Sequence, residues 1–318
     1  MARRWLTVAA KAAITILLIA WLVHRIEIGP AIGRLAAIDV GWTIAALVAM
    51  TVQLLLAGWR WALIGAAIDG PPRRGSIVRL TFVGQFFNQT LPSAIGGDAV
   101  RAWMAAREGL PTGKAVSGVV ADRVVGLVVL LLISAATLPL FAARVPDHLA
   151  RLGVFATVLG SLLALALFCI FAKPVGARLQ NIRFARPFAN LALDLRHALV
   201  GSRQSPAIIG LAILVHLLVI ASAYFLARGL GLHVSYIDCM VMFPLVVLLT
   251  MLPISIAGWG VREAAMVAAF AYVGVDAPGA LALSVAFGLV QVTIGLPGGV
   301  WWFKSGAPAQ PDSARPTA

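Results

Sequence analysis

Two stretches of the chain carry the same polar residue types at the same spacing. Residues 91–101 read LPSAIGGDAVR and residues 252–262 read LPISIAGWGVR. Aligned without gaps, Leu91, Pro92, Ile95, Gly97, Val100 and Arg101 match Leu252, Pro253, Ile256, Gly258, Val261 and Arg262. Leu and Val recur easily in an apolar chain, so the weight falls on Pro, Gly and Arg. Proline removes a backbone donor and disfavours helix at the residue before it. Gly96, Gly97, Gly258 and Gly260 permit positive φ and close backbone approach. Each motif therefore predicts a helix broken inside an apolar region. The free N–H groups of a broken helix suit an anion, and Arg101 and Arg262 each add a planar guanidinium that matches phosphate.

Carboxylates accompany these arginines: Asp98 before Arg101, Asp122 beside Arg123, and Glu263 beside Arg262. Charge inside an apolar segment is costly, so each couple is a candidate for function. The alternative is that the couples are interfacial, neutralise one another and only pin helices. Asp122 and Arg123, near the expected edge of their span, are the most open to it. Asn88 and Gln89 precede the first motif's proline, and their amides can line a polar cavity or cap the broken helix. Gln85 and Gln291 are placed to hydrogen-bond between helices, and His216 reads as a helix–helix hydrogen bond before a proton relay. The candidate binding set is thus Asn88, Pro92, Gly96, Gly97, Asp98, Arg101, Asp122, Arg123, Pro253, Gly258, Gly260, Arg262 and Glu263. No GxSxG, HExxH, P-loop or DxD-type site occurs, and no CxxC pair or His/Cys cluster. No catalytic residue, metal or cofactor is therefore expected. Cys169 and Cys239 lie in apolar runs and read as small core residues.

The elements that must hold these groups follow from composition. The 318 residues are 61% hydrophobic and 12% charged, with a mean hydropathy of +0.96. A soluble domain is about 45–50% apolar and about 25% charged. An ordinary soluble enzyme and a disordered chain are both excluded. The expected class is an all-α polytopic integral membrane protein with seven to eight transmembrane helices, re-entrant or broken helices and an internal repeat. Clear spans are expected at 5–23, 42–63, 119–142, 154–171, 207–227, 236–252 and 280–303. Segments 77–95 and 264–275 read as re-entrant or broken. The first stretch reads as an uncleaved span rather than a signal peptide.

One transmembrane domain is expected over 1–304, with motifs near 88–101 and 250–263. The polar loop 173–206 carries Phe184, Phe188, Leu191, Leu195 and Leu199 at helical spacing. It reads as an amphipathic helix at the cytoplasmic interface or as a packed connecting helix. The Pro/Ala/Ser-rich tail 305–318 is expected to be disordered. The net charge is +13, and the cations sit between apolar runs, as in loops facing anionic lipid rather than nucleic acid. With the N-terminus cytoplasmic, eighteen cations, Arg262 among them, fall on that face and five on the other. The expected location is the bacterial inner membrane, multi-pass, N-terminus inside.

The stretches FNQTLPSAIGGDAVRAWMAAREG, VVADRVVGLVVL and MLPISIAGWGVREAAMVAAF, in that order, resemble the flippase-like family of the lysylphosphatidylglycerol synthase (multiple peptide resistance factor) transmembrane region. The resemblance spans nearly the whole chain. It implies that the protein moves or presents anionic or aminoacylated lipids, or related isoprenoid or glycosyl lipids, with a lipid synthase as a partner. The bifunctional synthases carry a soluble aminoacyl-transferase domain, whereas this chain ends soon after its last expected span. The synthase activity is therefore not carried over, and a non-enzymatic role is expected. Three readings remain: a flippase-like transporter holding a head group between Arg101, Arg262 and Arg123; a membrane-embedded lipid-modifying enzyme with Asp98 or Glu263 as general base; and a non-catalytic scaffold for a synthase. The two motifs form a parallel or an inverted repeat, according to how the partial spans count.

Overall fold

The computed structural model describes residues 24–91, 96–182, 184–251 and 258–305, with 13, 16, 17 and 20. Most of the expected span 5–23, the motif prolines Pro92 and Pro253, Arg183, and the expected tail beyond Ser305 lie outside the described residues. The described residues form α-helices and short turns, with no strand among them. In chain order the helices are α1 (Ile28–Ala36), α2 (Val40–Ala67), α3 (Ile77–Thr90), α4 (Gly96–Arg107), α5 (Thr112–Arg144), α6 (His148–Leu179), α7 (Arg186–Arg196), α8 (Ser205–Gly229), α9 (Tyr236–Thr250), α10 (Val261–Ala271) and α11 (Ala277–Ser305).

Five of them, α2, α5, α6, α8 and α11, are long and apolar enough to cross a membrane. They match the expected spans at 42–63, 119–142, 154–171, 207–227 and 280–303. The expected span at 236–252 is different. It forms α9, a helix of 15 residues that stops at Thr250, short of the about 20 that a crossing needs. Local sequence sets the starts. The Asp39 carboxylate accepts from Trp42 N–H at α2, and Asp147 accepts from Leu149 and Ala150 N–H at α6. At α9 Ser235 and Asp238 cap each other's backbone N–H groups.

The short helices form two hairpins. α3 packs on α4, and α9 packs on α10. Each hairpin is flanked by two long helices, α2 and α5 for the first, α8 and α11 for the second. The likeness therefore extends beyond eleven residues: Val40 and Ser205, Gly96 and Val261, and Thr112 and Ala277 start matching helices 165 positions apart.

The two halves run in opposite directions. α2 is antiparallel to α8, since Asp39 N–H donates to the Gly229 carbonyl at 2.9 Å. At one end of the bundle, α2 finishes and α5 begins, and the first hairpin opens there, closed by the Arg79–Glu108 ion pair. At the other end, α5 finishes and α9 begins, joined by Arg144 Nε to Asp238 Oδ1 at 2.8 Å. Arg34 pairs there with Asp276 at the start of α11, at 2.6 Å. The second hairpin thus opens at the opposite end from the first. The repeat is inverted because α9 is half of a hairpin and not a crossing. Arg262, counted above with one face, stands on the hairpin that opens at the other end of the bundle.

The largest apolar core joins α8, α9, α10 and α11 around Phe243, Met266, Phe270 and Leu283. A second joins α2, α5 and α8 around Ile64, Val125 and Ile208, and a third seats the first hairpin on Trp61. The outer surface is apolar as well, with Leu163, Ile170, Leu289 and Val300 exposed. α6 stands at the edge: of its 32 residues only Val158, Ala172 and Gly176 are buried.

Candidate functional site

The first hairpin's charges meet in one network with α2 and α5. Asp122 lies ten residues into α5, roughly 15 Å from its start at 1.5 Å per residue, far from the boundary expected for it. Its Oδ1 accepts from Arg60 Nε at 2.8 Å and its Oδ2 from Arg101 Nη2 at 3.2 Å. Asp98 receives Arg123 Nε at 2.6 Å and Nη2 at 3.0 Å, and stands 3.5 Å from Arg101 Nη2. Arg60, Asp98, Arg101 and Asp122 are all buried, and Arg101 also lies 4.7 Å over the Trp61 ring.

Asn88, at the end of α3, accepts the Gly97 N–H at 3.0 Å, so the chain itself supplies the acceptor for that N–H of the broken helix. Gly97 is required by close approach. A Cβ there would overlap the Gly84 carbonyl oxygen and stand 2.7 Å from the Asn88 side chain. Backbone cannot yield as a side-chain tip does. Gly97→Ala is expected to lower stability by more than about 1–3 kcal/mol, the usual cost of overpacking, read as thermal unfolding of the purified protein in detergent.

The second hairpin solves the same problem with neighbours in sequence. Glu263 Oε1 receives Arg262 Nη2 at 2.8 Å, Arg262 Nε at 3.1 Å and Ser284 Oγ–H at 2.9 Å, while its Oε2 accepts the Gly260 N–H. The Arg262 guanidinium lies 4.6 Å over Trp259. Gly258 and Gly260 have φ of 80° and 84°, a conformation that L side chains rarely adopt. They hold the chain out of helix until Val261, so Arg262 sits at the very start of α10. Arg101, its match in the alignment, sits in the second turn of α4, because α4 already begins at Gly96.

That offset separates the two motif arginines. A cavity of about 300 Å3 lies where the hairpins meet. Arg60, Arg123 and Arg262 line it, whereas Arg101 is tucked behind Asp122 and does not. Asp122 is the one carboxylate among the lining residues. Asn88, Gln89 and Gln291 add amides, and Leu127, Val215, Val246 and Phe287 add apolar wall. Gln89 Nε2 donates to Gln291 Oε1 at 3.3 Å, and Gln85 Nε2 to the Gln291 carbonyl at 3.4 Å. His216 Nε2 bonds the Gly126 carbonyl at 2.8 Å, joining α8 to α5. Within this network, two buried guanidinium nitrogens, Arg60 Nη1 and Arg101 Nε, have no partner among the described residues.

The structure therefore brings Asn88, Asp122, Arg123, Gly258 and Arg262 to one cavity and sets Gly96, Gly97, Asp98, Arg101, Gly260 and Glu263 behind it as support. Arg60 was missed. It has no neighbouring carboxylate in sequence, and its signal was a lone arginine inside an otherwise apolar span. The arrangement can hold an anion: four guanidiniums, Arg60, Arg101, Arg123 and Arg262, face three carboxylates, Asp98, Asp122 and Glu263.

No curated protein matches the chain. The family described as "Lysylphosphatidylglycerol synthase TM region" matches residues 8–299. That match takes in both hairpins and every arginine of the cavity, and its helices are those long and apolar enough to span. The chain belongs to the lysylphosphatidylglycerol synthase transmembrane-region family and is a multi-pass membrane protein.

Proposed function

We propose that the protein passes the anionic head group of a membrane lipid through the cavity between its opposed hairpins, while the acyl chains stay in the bilayer. The carrying observation is the lining itself: among the described residues, three arginines against one aspartate, with Arg60 Nη1 buried and unpartnered. A guanidinium N–H left without an acceptor in a low-dielectric site favours an arriving phosphate or carboxylate. The volume is about ten times the ~30 Å3 share of a water molecule, enough for a head group and not for a whole lipid. Opposed hairpins suit exchange between the two leaflets, since each can gate the cavity toward the end at which it opens.

The engaged carboxylates favour transport over a general-base enzyme. Asp98 and Glu263, the candidate bases, are both paired with guanidinium groups and stand behind the cavity, whereas a base must reach the proton of its substrate. A lipid synthase in the same membrane is the natural source of the cargo. Orientation follows from the cations. Arg73, Arg74, Arg107, Lys114, Lys173 and Arg178 gather toward the end where the first hairpin opens, and Arg34, Arg144, Arg151 and Arg228 toward the other. The first end is then cytoplasmic and the N-terminus inside, in the bacterial inner membrane.

The test is translocation in vesicles reconstituted with the pure protein. Labelled phosphatidylglycerol is expected to cross faster than in protein-free vesicles, and labelled phosphatidylcholine is not. Equal rates for both lipids, or no acceleration, would overturn the reading.

A further inference from the structure

The elbow between α6 and α8 has a face that the bundle leaves uncovered. α7 turns Ala189 and Leu193 inward, with Leu193 against Gly176 of α6. Asp194 Oδ1 receives Lys114 Nζ of α5 at 3.1 Å, and Arg196 Nε donates to the Cys169 carbonyl at 2.8 Å. These contacts fix which way the helix faces. Outward stand Phe184 and Phe188, 88% and 73% exposed, with Ile182 beside them. A phenylalanine that exposed gains nothing from its own fold.

The cations around it are also outward. Lys173, Arg178, Arg186 and Arg203 are all exposed. The one carboxylate of the segment, Asp194, is already taken by Lys114. Exposed aromatics flanked by unneutralised cations, at the level where α6 ends and α8 begins, are what an anionic bilayer surface binds. Water disfavours the exposed rings and solvates the cations; an anionic leaflet takes up the rings and pairs the cations as well.

We infer that the elbow 173–203 is a membrane-surface anchor: Phe184 and Phe188 enter the head-group boundary of an anionic leaflet, and Lys173, Arg178, Arg186 and Arg203 bind its lipid head groups. The partner is the lipid surface itself, distinct from any lipid held in the cavity. Because Asp194 is tied to Lys114 at the start of α5, the anchor also holds the open end of the first hairpin at the membrane surface.

Spin labelling of the full chain tests this. A Phe188→Cys variant in a Cys169→Ser background carries a nitroxide; the other cysteine, Cys239, is buried and stays unlabelled. Collision of the label with oxygen and with a water-soluble nickel chelate is compared in vesicles of phosphatidylcholine alone and mixed with phosphatidylglycerol. The oxygen-to-nickel ratio is expected to rise severalfold with phosphatidylglycerol. Replacing Lys173, Arg178, Arg186 and Arg203 by glutamine is expected to remove that rise and leave the folded helix content unchanged. A label open to nickel in both membranes would overturn the anchor and mark a surface for a soluble partner. A label shielded from both reagents would overturn it in favour of protein contact. A ratio that the glutamine variant leaves unchanged would overturn the role of the cations.

Discussion

Asp122→Asn is expected to be the most damaging single substitution in the protein. Among the described residues, Asp122 is the one carboxylate bonded to both Arg60 and Arg101, which come from α2 and α4. All three side chains are buried. An asparagine keeps the shape and removes the charge, so two guanidiniums would stand in the interior with Asp98 alone to balance them and Arg123. Breaking a buried pair in this way costs about 3–5 kcal/mol. Against a typical total of about 5–15 kcal/mol, that is enough to lower the yield of folded protein sharply. The check is thermal unfolding in detergent, with Asp122→Glu and Arg60→Gln/Asp122→Asn for comparison. The double variant removes one of the stranded charges and is expected to recover part of the loss. If the double were as unstable as the sum of its parts, the network account would fail.

Arg262→Gln is expected to cost more in function than in folding. Its partner Glu263 keeps two donors, Ser284 Oγ–H and Gly260 N–H, so the carboxylate keeps hydrogen bonds when the guanidinium goes, but its buried charge loses its counter-ion. Stability should fall, and by less than for Asp122→Asn, because one charge is stranded and not two. Translocation of an anionic lipid should fall much more. Losing a hydrogen bond to a charged group is worth about 1.5–3 kcal/mol, or roughly ten- to a hundredfold in rate if the contact is made at the barrier. Arg262→Lys restores the charge and not the planar fork stacked on Trp259, and recovers only part of the rate. The measurement is the vesicle assay at matched protein content. An unchanged rate in Arg262→Gln would remove this residue from the path.

Much of this was written in the sequence. The apolar excess, the positions of five long helices and the paired Pro/Gly/Arg motifs are local signals, and each follows from composition or spacing. The roles of Asn88, Gln85, Gln291 and His216 as hydrogen-bonding groups between elements were also legible, because an amide or imidazole in an apolar run needs a partner. Three features were not. The sense of the repeat depended on whether 236–252 crosses or turns back, and an apolar run of that length fits both. The fate of Arg101 depended on where helix resumes after the glycines. Four positions of delay in the second motif bring Arg262 to the cavity, whereas the earlier start of α4 takes Arg101 past it. Arg60, counted only among the cations of one face, was not legible as a site residue for a third reason: its carboxylate is 62 residues away, and only folding brings them together.

The two hairpins balance their charge by different means, and this bears on how each can change over evolutionary time. The second keeps its acid and base on adjacent residues, so the fold alone lets the pair change through neighbouring codons, with Ser284 as the one distant party among the described residues, and only the cargo holds Arg262 in place. The first divides its balance among Arg60, Asp98, Arg101, Asp122 and Arg123 on three helices, and no single exchange keeps all of them satisfied. Positions 60, 98, 101, 122 and 123 are therefore expected to be retained or replaced together across relatives, while 262 and 263 change as a couple and only where the cargo changes.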